Sequence, residues 1–298
     1  MQHAKHHPEE PEAPAVHKRS SLGMRTLTVC IGLPIVLVFV WLGGWAMFAL
    51  LGLVLVLMTL ELRSLMRRTP SQPSLWFSLL VAFFLLVLAM FPQQRTFLLE
   101  IGIGVALLLS FPLLFSRLPA QNALSDWGLT LAFALYLGWP LSCLLLLRGD
   151  QAEQFYALRA DIPRGVWWVL LVLLGTWSFD TGAFYIGRAF RGHQHPLAAQ
   201  ISPGKNWEGL IGGTCCAVVS CIILTRPLEL PWYLAALLGV VLGCAGMCGD
   251  LSESFIKRQA HAKNSGTMLP GHGGILDRCD SILFGSIIVY IFSVLVGG

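Results

Sequence analysis

Nine apolar stretches, separated by glycines, prolines and charged clusters, constrain the fold of this 298-residue chain more than any other feature. Hydrophobic residues make up 55% of the chain and charged residues only 12%, against about 25% charged in soluble proteins. A helix needs roughly 20 mostly apolar residues to cross a bilayer, because its backbone polar groups must be satisfied within the segment. The sequence therefore predicts an all-α, polytopic integral membrane protein with about nine transmembrane helices.

The predicted spans and the uneven polarity of the chain divide it into regions. The spans cover residues 26–42, 45–61, 74–91, 96–115, 124–147, 165–187, 208–225, 232–250 and 281–297, or eight spans if the first two fuse or one re-enters the membrane. The first five are almost purely aliphatic, whereas later ones carry or adjoin acids. We therefore predict a disordered tail at 1–24, N-terminal spans within 25–150 and a catalytic region of about four spans within 151–298.

The distribution of basic residues predicts the orientation in the membrane. In the nine-span arrangement, 15 of the 20 Lys and Arg residues lie on the same side as the N-terminus. Basic residues favour the cytoplasmic side, so the N-terminus and the loops at 188–207 and 251–280 are expected there. The same residues are spread through short loops rather than gathered on one soluble face, which argues against nucleic acid as a partner.

Asp180 lies in W-S-F-D-T-G-A-F-Y-I-G-R, a segment that is otherwise suited to the membrane. An acid at such depth costs roughly 2.5–3.5 kcal/mol on insertion scales, so it normally faces a cavity or a partner. Helical spacing puts Asp180 on the same face as Arg188. A structural ion pair and an acid that lines a polar site are both compatible with this spacing.

The segment I-S-P-G-K-N-W-E-G, residues 201–209, precedes the seventh span. Ser202 before Pro203 predicts the start of a helix, because Ser caps free N–H groups and Pro suits the first turn. Such a helix start attracts phosphate, and Lys205 adds a positive charge. Glu208 in the next turn is also compatible with simple complementation of the helix dipole, so this segment alone is a weak signal.

A denser polar cluster connects the end of the eighth span to the start of the ninth. One helical face there carries Asp250, Ser254, Lys257 and Arg258. Asp277 and Asp280 follow at i and i+3, and carboxylates beside basic residues suit Mg²⁺ bound to phosphate oxygens. In P-G-H-G-G the glycines let backbone N–H groups approach a phosphate, and His272 can donate to it or transfer a proton. The cluster predicts phosphate and metal chemistry without a G-x-x-x-x-G-K-[ST] loop.

The stretch S-F-I-K-R-Q-A-H-A-K-N-S-G-T-M-L-P-G-H-G-G-I-L-D-R-C-D, residues 254–280, resembles the signature of the phosphatidate cytidylyltransferases, also called CDP-diglyceride synthases. W-S-F-D-T-G-A-F-Y-I-G-R and S-P-G-K-N-W-E-G are similar to further segments of that family, so the resemblance covers about residues 165–298. The first five spans match only in their hydrophobic character. The resemblance implies transfer of a cytidylyl group from CTP to phosphatidic acid, which gives CDP-diacylglycerol and pyrophosphate for phospholipid or glycolipid biosynthesis.

The resemblance also implies roles for individual residues. Mg²⁺ would be held by Asp250, Asp277 and Asp280, with Asp180 nearby and K⁺ beside it. Catalysis would involve Asp250, Lys257, Arg258, Asp277, Arg278 and Asp280. The substrates would be bound by Asp180, Ser202, Lys205, Asn206, Ser254, Lys263, Asn264 and His272. The implied location is a bacterial-type inner (plasma) membrane with a cytoplasmic active site, and a homodimer is left open.

Two positions depart from the family pattern. The usual Lys-Asp pair is Lys263-Asn264 here, and the usual Lys-Thr or Lys-Ser is Lys205-Asn206. Asn264 offers a carbonyl oxygen to a cation but no charge. Weaker metal binding, altered substrate choice, a specialised paralogue and loss of activity are all compatible with this change. The alternatives are therefore a catalytically weak partner protein and, because Asp180 lies within the membrane, a transporter or channel.

Overall fold

The computed structural model describes residues 20–116, 121–149, 162–190, 195–269 and 273–297. The described residues form nine α-helices and one 3₁₀ turn at Arg226–Leu228. The helices are α1 Ser20–Leu42, α2 Gly44–Met66, α3 Leu75–Leu88, α4 Arg95–Phe115, α5 Ala123–Arg148, α6 Arg164–Ala189, α7 Trp207–Leu224, α8 Trp232–Gln259 and α9 Leu276–Gly297. The all-α prediction is confirmed, while most of the predicted tail and His272 lie outside the described residues.

Seven of these helices are long and apolar enough to cross a membrane, which makes the chain a multi-pass membrane protein. The apolar part of α1, Thr26–Leu42, and α3 are shorter. The 14 residues of α3 extend about 21 Å at 1.5 Å per residue. Two predicted ends were too early, because α2 continues past residue 61 and α8 past residue 250. Both extensions bury side chains inside the protein, among them Leu65 and Ser254.

Contacts between helix ends show that α5 runs antiparallel to α2 and parallel to α1. At one end, Gln72 N after α2 donates to Asp126 Oδ1 in the first turn of α5 at 2.7 Å. At the opposite end, Arg148 Nε at the end of α5 donates to Val40 O near the end of α1 at 2.6 Å. The loop before α7 also lies close to the end of α8, because Arg258 Nε near that end donates to Ile201 O of the loop. The described residues of the loop before α7 and of the loop between α8 and α9 therefore share one side of the bundle with the end of α2, where Glu61 accepts hydrogen bonds from Ile275 N and Leu276 N.

The C-terminal helices pack closely, with α7 between α6 and α8 and with α9 against α5, α6 and α8. Small residues allow this, as is common in membrane bundles. A Cβ atom on Gly213 of α7 would lie 2.7 Å from the carbonyl oxygen of Phe179 in α6. The buried core continues into the N-terminal helices through side chains such as Leu62, Leu137 and Leu283. The four C-terminal helices consequently meet the loop end of the bundle as one packed group.

Candidate active site

A cavity of about 500 Å³ opens at the loop end of the bundle among α6, α7, α8, α9 and the loop before α7. This volume is in the range of about 300–1,000 Å³ that is usual for small-ligand sites. Eight residues predicted from the sequence line it: Asp180, Ser202, Lys205, Asn206, Asp250, Asp277, Arg278 and Asp280. Arg188, the predicted neighbour of Asp180 on α6, lines it as well. Three polar segments that are distant in the sequence therefore converge on one space.

The loop before α7 is folded back on itself by a short antiparallel bridge. Leu197 N donates to Lys205 O at 2.9 Å, and Trp207 N donates to His195 O at 3.0 Å. The prediction that Ser202 begins the helix is wrong, because this bridge holds residues 202–205 outside it. Ser202 O instead accepts a hydrogen bond from Lys205 N at 3.1 Å, in a turn that borders the cavity.

Asn206 caps α7 in place of Ser202. Its side chain accepts a hydrogen bond from Gly209 N at 2.8 Å and donates to Gly187 O of α6 at 3.2 Å. A side-chain oxygen at this position satisfies one of the N–H groups that a helix start leaves without an intrahelical partner. The single Asn206 side chain therefore fixes α7 to the end of α6 beside Lys205.

Three carboxylates from three different helices share the cavity. Asp180 of α6 accepts a hydrogen bond from Ser281 Oγ at 3.2 Å, and Asp250 of α8 forms an ion pair with Lys205. Asp280 of α9 interacts electrostatically with both of these acids. Lys205 attracts all three carboxylates, so its positive charge offsets part of the negative charge of the cavity.

Asp277 also lines the cavity, but both of its oxygens are engaged within the protein. Oδ1 accepts from Lys257 Nζ at 2.7 Å. Oδ2 accepts from Ser265 N and Gly274 N at 2.9 Å each and from Ser265 Oγ at 3.0 Å. Lys257 forms a second ion pair with Glu253, whose side chain is 1% exposed. Asp277 and Lys257 therefore belong to a buried network beside the cavity.

Five other predicted residues lie outside the cavity lining: Ser254, Lys257, Arg258, Lys263 and Asn264. Arg258 donates to Ile201 O at 3.1 Å and to Ala262 O at 3.2 Å, so it fastens two loops together. Ser254 Oγ donates to Asp250 Oδ1 at 3.5 Å. Lys263 and Asn264 are exposed, and the roles assigned to these five residues stay predictions.

Sequence reasoning missed two buried acids, Glu253 and Glu61. Glu253 lies one turn before Lys257 on α8, and Glu61 is the only acid in α2. Glu61 is 2% exposed and accepts hydrogen bonds from Ile275 N and Leu276 N at 2.9 Å each. The rule that drew attention to Asp180, an acid within an apolar span, applies equally to Glu61 and would have identified it.

The donor set of the cavity fits Mg²⁺. No three His, Cys, Asp or Glu side chains of the described residues already form a cage for a metal ion. Such a cage is not required, because Mg²⁺ in nucleotide sites is usually held by one or two carboxylates together with substrate phosphates and water. Asp180, Asp250 and Asp280 offer the hard oxygen ligands that this ion prefers. Asp277, predicted as a third metal ligand, has its oxygens occupied by other donors.

An apolar helical bundle with a polar cavity at its loop end, lined by acids, one lysine and two arginines, defines the chain as a multi-pass membrane protein with a candidate small-ligand site. Residues 23–296 match the model of the cytidylyltransferase family. Several phosphatidate cytidylyltransferases are similar over most of their length. That of Brucella suis biovar 1 is 32% identical over 281 residues, covering 92% of this chain and 93% of the relative. Those of Staphylococcus haemolyticus and Synechocystis sp. are 33% and 30% identical, covering 88% and 91% of this chain and 95% and 96% of the relatives.

The chain belongs to the cytidylyltransferase family, which confirms the resemblance found in residues 254–280. The family match is wider than the one predicted from motifs. It begins at residue 23 and so includes the N-terminal helices, for which the sequence motifs at 165–298 had given no signal.

Proposed function

We propose that this chain transfers a cytidylyl group from CTP to phosphatidic acid at the cytoplasmic face of a bacterial-type inner membrane, giving CDP-diacylglycerol and pyrophosphate. The observation that carries the proposal is the convergence of Asp180, Asp250 and Asp280 around Lys205 in one cavity of a cytidylyltransferase family member. The excess of basic residues on the cavity side supports a cytoplasmic active site.

The reaction is an in-line displacement at phosphorus. An oxygen of the phosphatidate phosphate forms a bond to the α-phosphorus of CTP. The bond from that phosphorus to the bridging oxygen of the β-phosphate breaks, and pyrophosphate leaves with the electron pair. The attacking phosphate is already anionic, so no strong general base is required. Positioning and charge stabilisation supply most of the catalysis in such transfers.

The residues of the cavity divide these tasks. Lys205, Arg188 and Arg278 are the cations of the lining and would neutralise phosphate oxygens of the two substrates. Asp180, Asp250 and Asp280 would hold Mg²⁺, which supplies further charge neutralisation at the triphosphate when it is bound. A K⁺ ion would bind beside the Mg²⁺.

Phosphatidic acid would reach the cavity from the bilayer. Phe184 of α6 lines the cavity, yet the residue is 58% exposed. An aromatic side chain at this border gives the polar cavity an apolar edge. The head group would pass this edge while the acyl chains stay in the membrane.

A detergent assay with CTP, phosphatidic acid and Mg²⁺ tests the proposal by measuring CDP-diacylglycerol and pyrophosphate. We expect Asp250→Asn and Asp280→Asn each to lower turnover at least a hundredfold. Glu229→Gln is the matched control, because Glu229 is an exposed acid after α7, at the opposite end of the bundle. Pyrophosphate release that persists in both cavity variants would contradict the site.

The alternatives give different results in the same preparation. CTP binding without pyrophosphate release in the unaltered chain would favour a partner protein. Solute flux across sealed vesicles that Asp280→Asn leaves unchanged would favour a transporter. Reporter proteins fused after Gly298 test the orientation. The nine-span arrangement predicts that alkaline phosphatase is active there and that green fluorescent protein does not fluoresce. The opposite result would contradict a cytoplasmic active site. Cross-linking of the purified protein in its membrane tests the homodimer.

A further inference from the structure

Glu61 connects the N-terminal helices to the loop that carries the 254–280 motif. It lies near the end of α2, is 2% exposed, and its partners are more than 200 residues away in the sequence. Oε1 accepts from Ile275 N at 2.9 Å. Oε2 accepts from Leu276 N at 2.9 Å and from Ser265 Oγ at 3.1 Å. Two backbone amides therefore hold the carboxylate, and the single hydroxyl hydrogen of Ser265 can point either to Glu61 or to Asp277.

These contacts act as a helix cap supplied by a different helix. The first N–H groups of a helix lack intrahelical partners, and the positive end of the helix dipole favours a carboxylate. The Glu61 carboxylate receives two consecutive backbone N–H groups at the start of α9. It therefore fixes the position of the turn from which the Asp277 and Asp280 side chains project.

Glu61 and Asp277 are joined through Ser265 and through neighbouring amides. Ser265 Oγ lies 3.1 Å from Glu61 Oε2 and 3.0 Å from Asp277 Oδ2, so its hydroxyl lies between the two carboxylates. Gly274 N donates to Asp277, whereas the next amide, Ile275 N, donates to Glu61. A displacement of Glu61 would consequently move the donors that hold Asp277.

Two glycines leave room for the Glu61 carboxylate. A Cβ atom on Gly266 would lie 2.7 Å from Glu61 Oε1, and one on Gly274 would lie 2.5 Å from Oε2. Real Cβ atoms are essentially never found so close to another heavy atom. The absence of a side chain at Gly266 and at Gly274 therefore leaves the space that the Glu61 carboxylate of α2 occupies.

We propose that Glu61 is a positioning residue for the transferase reaction. It fixes Ser265, Ile275 and the first turn of α9, so that Asp277 meets Lys257 and Asp280 faces the other two cavity acids. The catalytic part of this inference rests on the proposed function, whereas the capping part does not. Glu61 touches neither substrate in this account and acts through the loop.

The test compares Glu61→Gln with Thr59→Val. The Gln side chain keeps the size of Glu but replaces one acceptor oxygen with a donor group that faces N–H and O–H donors. Thr59 is buried on the same helix, and its hydroxyl donates only to Leu55 O at 2.8 Å within that helix. Thr59→Val therefore also removes a buried polar contact from α2, but this contact does not involve the loop between α8 and α9.

Two measurements are made on each purified full-length protein in detergent. Steady-state kinetics should show kcat at least tenfold lower in Glu61→Gln, with KM for phosphatidic acid changed less than threefold, and Thr59→Val near the wild type. Hydrogen–deuterium exchange should accelerate at least tenfold in peptides that cover 265–276 of Glu61→Gln. Exchange in α5 and α6 should stay unchanged, because a general loss of stability would accelerate exchange throughout.

The two measurements separate the inference from the proposed function. An inactive wild type would contradict the proposed function, and exchange at 265–276 would still decide whether Glu61 caps α9. Unchanged exchange in Glu61→Gln would overturn the capping. Faster exchange with unchanged kcat would overturn the positioning role, and an equal loss of kcat in Thr59→Val would attribute the effect to α2 in general.

Discussion

Replacement of Lys257 by Met tests the buried network that Lys257 forms with Glu253 and Asp277 beside the cavity. Its Nζ contacts Glu253 and, at 2.7 Å, Asp277, and its side chain is 12% exposed. Replacement by Met keeps a similar length and apolar volume but removes the positive charge. The side chains of Glu253 and Asp277, 1% and 10% exposed, would then share the space without a cation between them.

The expected magnitude follows from the burial of both acids. Removal of one partner of a buried ion pair typically costs about 3–5 kcal/mol, because the remaining charge is uncompensated. Asp277 keeps its bonds from Ser265 and Gly274, whereas Glu253 Oε1 is a buried atom with no hydrogen-bond partner among the described residues. Most of the cost should therefore arise at Glu253. We expect Glu253→Gln to recover more than half of the stability that Lys257→Met loses.

Thermal unfolding in detergent, followed by tryptophan fluorescence, measures both variants. At roughly 2–4 °C per kcal/mol for chains of 150–250 residues, a loss of about 3–5 kcal/mol should make Lys257→Met melt about 6–20 °C below the wild type. Arg226→Met is the matched control, since Arg226 is an exposed cation beyond the end of α7. An unchanged melting temperature in Lys257→Met would refute the network. So would a double variant that melts no higher than the single one.

Three further substitutions test the loop, the cap and the cavity. Gly274→Ala would place a methyl group 2.5 Å from Glu61 Oε2 and should lower kcat at least tenfold, whereas Gly128→Ala, which meets open space, should stay active; equal activities would contradict the tight loop. Asn206→Ala removes the cap of α7 and should lower the free energy of unfolding by about 1 kcal/mol, seen as a lower melting temperature; no change would contradict the capping role. Lys205→Met removes a cation from among three carboxylates. The KM for CTP should rise at least tenfold because a phosphate partner is lost, while half-maximal activity should require less Mg²⁺ because the carboxylates are no longer neutralised. A higher Mg²⁺ requirement would contradict this charge arrangement.

Much of the site could be predicted because its residues occur in three compact motifs at helix ends. Spacing along a helix places Asp250 with Ser254, and it places Asp277 and Asp280 in one first turn. Both acids line the cavity, but spacing does not reveal which of them has its oxygens occupied by Lys257 and backbone amides. That choice depends on the donors of the loop at 265–274, whose path no local pattern specifies.

The helices were predicted more reliably than their ends. Apolarity stops where a side chain can reach polar surroundings, but a helix continues while its backbone groups are paired and its side chains are packed. α8 therefore continues through Lys257 to Gln259, and α9 begins at Leu276, where Glu61 accepts its free N–H groups. An acid in an apolar span could have drawn attention to Glu61 itself, but its partners lie more than 200 residues away, where no sequence spacing points to them.

The N-terminal helices contribute to the site through α9, although none of their residues lines the cavity. Glu61 of α2 accepts from Leu276 N at the start of α9, and Ser286 Oγ in the middle of α9 lies 2.9 Å from Pro140 O of α5 and 2.7 Å from Leu283 O of its own helix. Near its other end, Tyr290 OH accepts from Arg95 Nη1 of α4 at 2.6 Å. The helix that presents Asp280 to the cavity is therefore held along its length by the region before residue 150. The family match also extends over both regions, and these contacts with α9 form a physical link between the N-terminal helices and the acids of the cavity.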